Sequence, residues 1–120
     1  MSNQSAASQC TIKRRRVDEI EVLSVAGVVD MLTTSQLEEA IATAAKDSPR
    51  GVVVDLGAVD FLASAGMGAL VAAREELPAD ILFAVVADGP ATSRPLKLVG
   101  IADVVGLHAT LDEALAALAA

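Results

Sequence analysis

Two periods of apolar residues run through this chain and trade places along it. Continuous or alternating apolar runs at residues 20–25, 52–54 and 81–86 have the β-branched character of strands, the last two of strands covered on both faces. Between them the spacing turns helical. Leu37, Ala40, Ile41 and Ala44 form one stripe, Met67, Leu70 and Val71 a second, and Leu111, Leu115 and Leu118 a third. Residues 11–16 read as a first edge strand, residues 91–99 as a short helix and residues 104–108 as a last short strand. Thr33 with Gln36, and Thr110 with Glu113, have capping-box spacing and mark two helix starts. Pro95 fits the short helix when Ser93 caps it, because a proline in the first turn withholds no needed N–H. The resulting order is β-β-α-β-α-β-α-β-α. It predicts an α/β fold with a mixed, mostly parallel sheet of about five strands and about four helices.

One stretch carries a placed functional group. The strand at residues 52–54 is interrupted by Asp55 and Gly57, and the chain then leads into Ser64, expected as the N-cap of the next helix. Gly66 and Gly68 follow in the first turns, where glycine costs roughly 0.5–1 kcal/mol relative to alanine. Two such residues imply a close approach to that backbone. In parallel sheets ligands meet the loops beyond the carboxyl ends of the strands. That rule gathers three loops on one edge: residues 27–33, 60–67 and 88–94. A plain reading stands beside this one, in which Ser64 only caps, the glycines only admit close packing, Asp30 forms a turn and Met67 belongs to the core.

Charge and cysteine usage narrow the classes. The 120 residues are 53% apolar and 2% aromatic, with a net charge of −7. Lys13, Arg14, Arg15 and Arg16 supply four of the nine bases, so the rest of the chain sets five bases against sixteen acids. Such a body repels nucleic acid, and the basic run reads equally as protection of an edge strand. Residues 1–10 read as a disordered polar tail and residues 11–120 as one domain. Cys10 is the sole cysteine, which excludes an internal disulfide; at the end of a polar tail it could cross-link two chains. No apolar stretch is long enough to span a membrane and no signal peptide opens the chain, so a cytoplasmic protein without metal or cofactor is expected.

The spacing Gly27-x-x-Asp30-x-x-Thr33, then Val53-x-Asp55-Leu56, then Asp60-Phe61-Leu62-x-Ser64-x-Gly66-Met67-Gly68 resembles the STAS domain of bacterial anti-sigma factor antagonists. The resemblance reaches on through Pro90 to the closing helix. It implies a non-enzymatic switch that binds a serine-kinase-type anti-sigma factor when unphosphorylated and so releases a sigma factor. By the same likeness Ser64 is the phosphoacceptor and a serine phosphatase resets it. The implied contact residues are Asp30, Thr33, Ser64, Ala65, Gly66, Met67, Gly68, Pro90 and Arg94; a weak homodimer stays open. Ala63 stands where the family usually has aspartate, and Val28 where it usually has glutamate.

Two other classes share these residues. A ligand-sensing module could hold a nucleotide or lipid at the same glycine-lined helix start. A serine hydrolase would use Ser64 on a strand-to-helix turn. Its nucleophile elbow, however, needs glycine where Leu62 stands, and the chain offers only His108 as a base.

Overall fold

The computed structural model describes residues 10–119, and the tail expected at residues 1–9 lies outside them. Five strands form one sheet in sequence order: β1 (Cys10–Val17), β2 (Ile20–Val29), β3 (Gly51–Leu62), β4 (Leu82–Val86) and β5 (Leu107–His108). β1 and β2 pair antiparallel through a two-residue turn, with Asp18 at a φ of 56°. The remaining pairs are parallel. Five helices are described: α1 (Thr34–Ala45), α2 (Ser64–Glu76), α3 (Ser93–Leu98), α4 (Ala102–Val105) and α5 (Leu111–Ala119). The mixed α/β architecture is the expected one, with one helix more.

The two sheet faces follow from strand alternation. Leu23, Val25 and Val29 on β2, with Val52, Val54 and Leu56 on β3, point to a first face. There they meet Leu37 and Ile41 of α1, Met67 and Leu70 of α2, Leu96 of α3 and Val105 of α4. Val22, Val53, Ala84 and Val86 point to the second face, under Ala114 and Leu118 of α5. Val52, Val53 and Val54 are fully buried because each side of the sheet has its own helix layer at their level.

Four local expectations are corrected. β3 does not stop at Asp55. The Asp55 carboxylate accepts the Gly57 N–H at 2.9 Å, and the strand continues to Leu62 across two register shifts against β2. The capping box at Thr33 does not form, since the Gln36 amide donates to the Cys10 carbonyl at 2.9 Å instead. Residues 104–108 are not one strand. Val104 and Val105 close α4, Gly106 reverses the chain at a φ of 72° where a Cβ would stand 3.0 Å from the Phe83 carbonyl oxygen, and β5 keeps two residues. Cys10 begins β1 and is buried, so it is neither part of the tail nor placed to cross-link two chains. The second cap does form in part, with the Thr110 hydroxyl accepting the Glu113 N–H at 3.1 Å.

Candidate functional site

Strand order brings the three loops together. β2, β3 and β4 are neighbours and parallel, so their carboxyl ends share one edge, with the β3–α2 junction between the other two. The junction is pinned to β2 by the Ala63 N–H donating to the Val29 carbonyl at 2.9 Å. That bond holds Ala63 extended as the residue before the helix, with φ −81° and ψ 168°. Ser64 is therefore the first helical residue and not the cap. Its side chain is exposed, and α2 begins with neither a side-chain cap nor an acidic residue in its first turn. The first amides of α2 thus face outward with an unneutralised partial positive charge beside the hydroxyl.

The two glycines of this turn do different things. A Cβ on Gly66 would stand 2.7 Å from Val29 Cγ1, 2.8 Å from Leu62 Cδ1 and 3.1 Å from the Val29 carbonyl oxygen. Gly66 is what lets α2 lie against β2 and β3. A Cβ on Gly68 would meet nothing within 4 Å, and Gly68 is exposed. It shares a helix face with Ser64, four residues earlier. The fold gives no reason for its missing side chain.

The first loop is held by its own polar groups. The Thr33 hydroxyl donates to the Val28 carbonyl at 3.0 Å and accepts the Asp30 N–H at 2.9 Å. The Asp30 carboxylate accepts the Leu32 N–H at 2.9 Å and the Thr33 N–H at 3.2 Å. With its backbone satisfied in this way, the loop holds Met31 78% and Leu32 87% exposed. These are the residues that sequence reasoning missed. Their signal was apolar bulk between two turn-forming polar residues, Asp30 and Thr33. The third loop places Pro90 and Arg94 on the surface beside Gly89, Lys97 and Leu98, around an open depression of about 520 Å³.

Of the nine sequence-derived contact residues, Ser64, Gly68, Pro90 and Arg94 are exposed, and Asp30 and Ala65 are half-buried. Thr33, Gly66 and Met67 are buried and shape the surface from beneath. The hydrolase reading finds no geometry. His108 sits on β5, two strands from β3, and pairs with Val86, whose side chain points to the second face, while α2 packs on the first. Among the described residues no cluster of three His, Cys, Asp or Glu side chains could hold a metal. No described helix is long and apolar enough to cross a membrane.

The chain is similar to known proteins over most of its length. The STAS domain family model matches residues 11–114. An anti-sigma-F factor antagonist of Mycobacterium tuberculosis, RsfB, is 39% identical over 111 residues, covering 92% of this chain and 91% of its own. A crystal structure of an anti-sigma factor antagonist from Mycobacterium paratuberculosis superposes with a TM-score of 0.88 at 43% identity, over 92% of this chain and 95% of that one. The Bacillus protein SpoIIAA shares the fold in its unphosphorylated form (TM-score 0.73, 18% identity, 91% and 96% covered) and in its phosphorylated form (0.65, 19%, 90% and 99%).

Proposed function

The chain belongs to the STAS domain family, and from that premise we propose that it is an anti-sigma factor antagonist controlled at Ser64. It binds a serine-kinase-type anti-sigma factor through the edge formed by Asp30 to Thr33, Ser64 to Gly68 and Pro90 to Arg94, and by doing so frees a sigma factor for transcription. The kinase partner phosphorylates Ser64, a serine phosphatase removes the group, and the exchange takes place in the cytoplasm. Domain boundaries at residues 11–120 follow from the same reading.

The observation that carries this proposal is the exposed Ser64 hydroxyl at an uncapped helix start. A phosphoryl group there adds about −1.5 to −2 charges. The open amides and the helix dipole favour an anion by about 0.3–1 kcal/mol, so the fold tolerates the modification. A protein docked over the same turn must strip water from that charge, which costs several kcal/mol per ion. At about 1.4 kcal/mol per tenfold, the loss reaches a hundredfold or more in affinity. The interface penalty exceeds the dipole's return, so phosphorylation blocks binding and leaves the domain folded. SpoIIAA, solved in both phosphorylation states, keeps one fold across the change, in line with this balance.

Apolar bulk at Met31 and Leu32 supplies what the hydroxyl alone lacks, a surface whose burial drives association. Pull-down from the native cell with wild-type and Ser64→Glu baits tests the proposal. The wild-type bait captures an anti-sigma factor with a kinase fold and the variant does not; equal capture of that factor by both overturns the control at Ser64.

A further inference from the structure

β1 is an outer strand of the sheet, and no described strand pairs with its far side. At the other edge β5 keeps only two residues, whereas β1 runs for eight. Such an edge is a row of backbone groups open to another chain. The register says which groups those are. Val17 and Ile20 flank the two-residue turn as a hydrogen-bonded pair, and bonded and unbonded pairs alternate from there. Thr11, Lys13 and Arg15 therefore bond to β2, while Cys10, Ile12, Arg14 and Arg16 aim their N–H and C=O groups outward. The Cys10 carbonyl follows this rule, since it accepts the Gln36 amide from outside the ladder. Ile12, Arg14 and Arg16 have no backbone partner on that side among the described residues.

The two faces of this edge differ in charge. Arg14 and Arg16 share the first face with Ile12 and are already committed, to Glu21 and Asp47. On that face Ile12, Leu23, Ala40 and Thr43 line an open depression of about 280 Å³, together with the exposed Glu39. Lys13 and Arg15 share the second face with Val17. Both are exposed, and neither joins an ion pair or side-chain hydrogen bond among the described residues. The helices have their main packing elsewhere: α1 lies over β2 and β3, and α5 over β3, β4 and β5. A strand added beside β1, in the plane of the sheet, has room on both sides.

We propose that β1 takes up an extended acidic segment of another protein as an added strand, with carboxylates beside Lys13 and Arg15 and apolar side chains on the Ile12 face. Main-chain bonds to Ile12, Arg14 and Arg16 supply affinity, and the alternation of acid and apolar residues supplies specificity. Its phase is fixed, because an acid on the Ile12 face would meet Glu39 instead of a free cation. The same charges exclude two competitors. Two copies meeting edge to edge would set one basic run against the other, and like charges across a strand pair are destabilising. Nucleic acid would find only two uncommitted cations on this strand, in a chain of net charge −7.

Calorimetric titration with a blocked peptide of alternating glutamate and leucine, eight residues long like β1, tests it. The wild-type chain binds the peptide. In the complex the Ile12, Arg14 and Arg16 amides exchange with solvent about tenfold more slowly, while those of Lys13 and Arg15, already bonded, change little. Lys13→Glu combined with Arg15→Glu weakens binding about tenfold or more, with folding checked by circular dichroism. Antiparallel addition turns the leucine N–H groups toward β1 and the glutamate N–H groups to solvent. Methylating the leucine nitrogens therefore weakens binding about tenfold or more, and methylating the glutamate nitrogens changes it less than about threefold. If the double variant does not fold, the two methylated peptides decide. No binding up to about 1 mM peptide overturns the proposal. Equal effects of the two methylations overturn it, as does a folded double variant that binds like the wild type. Equal binding of a peptide with lysine for glutamate, or tighter binding of a single-stranded oligonucleotide, overturns it too.

Discussion

The two ends of the sheet are built to opposite plans. At the lower end, where the parallel strands begin, chain segments are tied to one another. The Arg50 N–H donates to Glu19 at 2.8 Å, and the Leu82 N–H to Arg50 at 3.0 Å. Glu21, with its side chain only 3% exposed, accepts Arg14 at 2.6 Å and Arg16 at 3.1 Å, while Arg14 also reaches Asp47 beyond α1. Polar groups there join separate elements. At the upper end polar groups turn inward on single loops: Thr33 and Asp30 satisfy the backbone between them, and Asp55 satisfies Gly57. Large apolar side chains are left outside as a result, Met31 and Leu32 above all. The lower end ties separate elements together, and the upper end leaves apolar side chains uncovered, as the proposed partner surface requires.

Substitutions can break that contrast. Glu21→Ala at the lower end removes the buried acceptor that Arg14 and Arg16 share. Removing one partner of a fully buried pair costs about 3–5 kcal/mol. Because Arg14 and Arg16 are 35% and 43% exposed, we expect about 2–3 kcal/mol here, read from urea unfolding. The two glycines sharpen the contrast within one turn. Gly66→Ala overpacks the joint with Val29 and Leu62 and costs about 1–3 kcal/mol. Gly68→Ala meets nothing, so it stabilises the fold by about 0.5–1 kcal/mol and yet weakens partner binding. A Gly68→Ala variant with unchanged affinity would mean that no partner approaches that backbone. Met31→Ser with Leu32→Ser changes stability by less than about 0.5 kcal/mol, as surface substitutions do, and lowers affinity for the anti-sigma factor about tenfold or more in calorimetric titration.

The smallest effect is a pH dependence. Burial, and after it the negative charge of Asp30, raises the Cys10 thiol above its ordinary value. The folded state therefore keeps its proton where the unfolded chain has lost it. Its contribution to stability is complete below the unfolded thiol's pKa of about 8.5 and declines as pH rises beyond that. The urea midpoint of the wild-type chain should fall more steeply above that pH than that of Cys10→Ala.

Much of this was legible in the sequence, for reasons that also explain the rest. The β3 valines and the stripe of α2 announce themselves because burial on both faces or on one stripe leaves a periodic mark. The strand-to-helix step placed Ser64 at the surface by the same logic. Local signals failed where another group, near or far in sequence, competed. Asp55 and Gly57 look like a strand ending, but side chain and backbone satisfy each other and the strand continues. Gln36 has capping spacing, yet the Cys10 carbonyl, 26 residues away in sequence, takes its amide. Val104 and Val105 have strand character, but the close approach of Gly106 to β4 turns the chain too early for a longer β5. Met31 and Leu32 escaped notice because hydrophobicity argues for burial, and only the Asp30–Thr33 bonds reveal that the loop holds them outward.

Isothermal titration of the anti-sigma factor with the unmodified chain and with the chain phosphorylated at Ser64, each checked by thermal melting, tests the account most directly. We predict melting within a few degrees for the two forms, as a surface charge near a helix start implies, and a loss of affinity of about a hundredfold or more on phosphorylation. Equal affinities for two equally folded forms would contradict it.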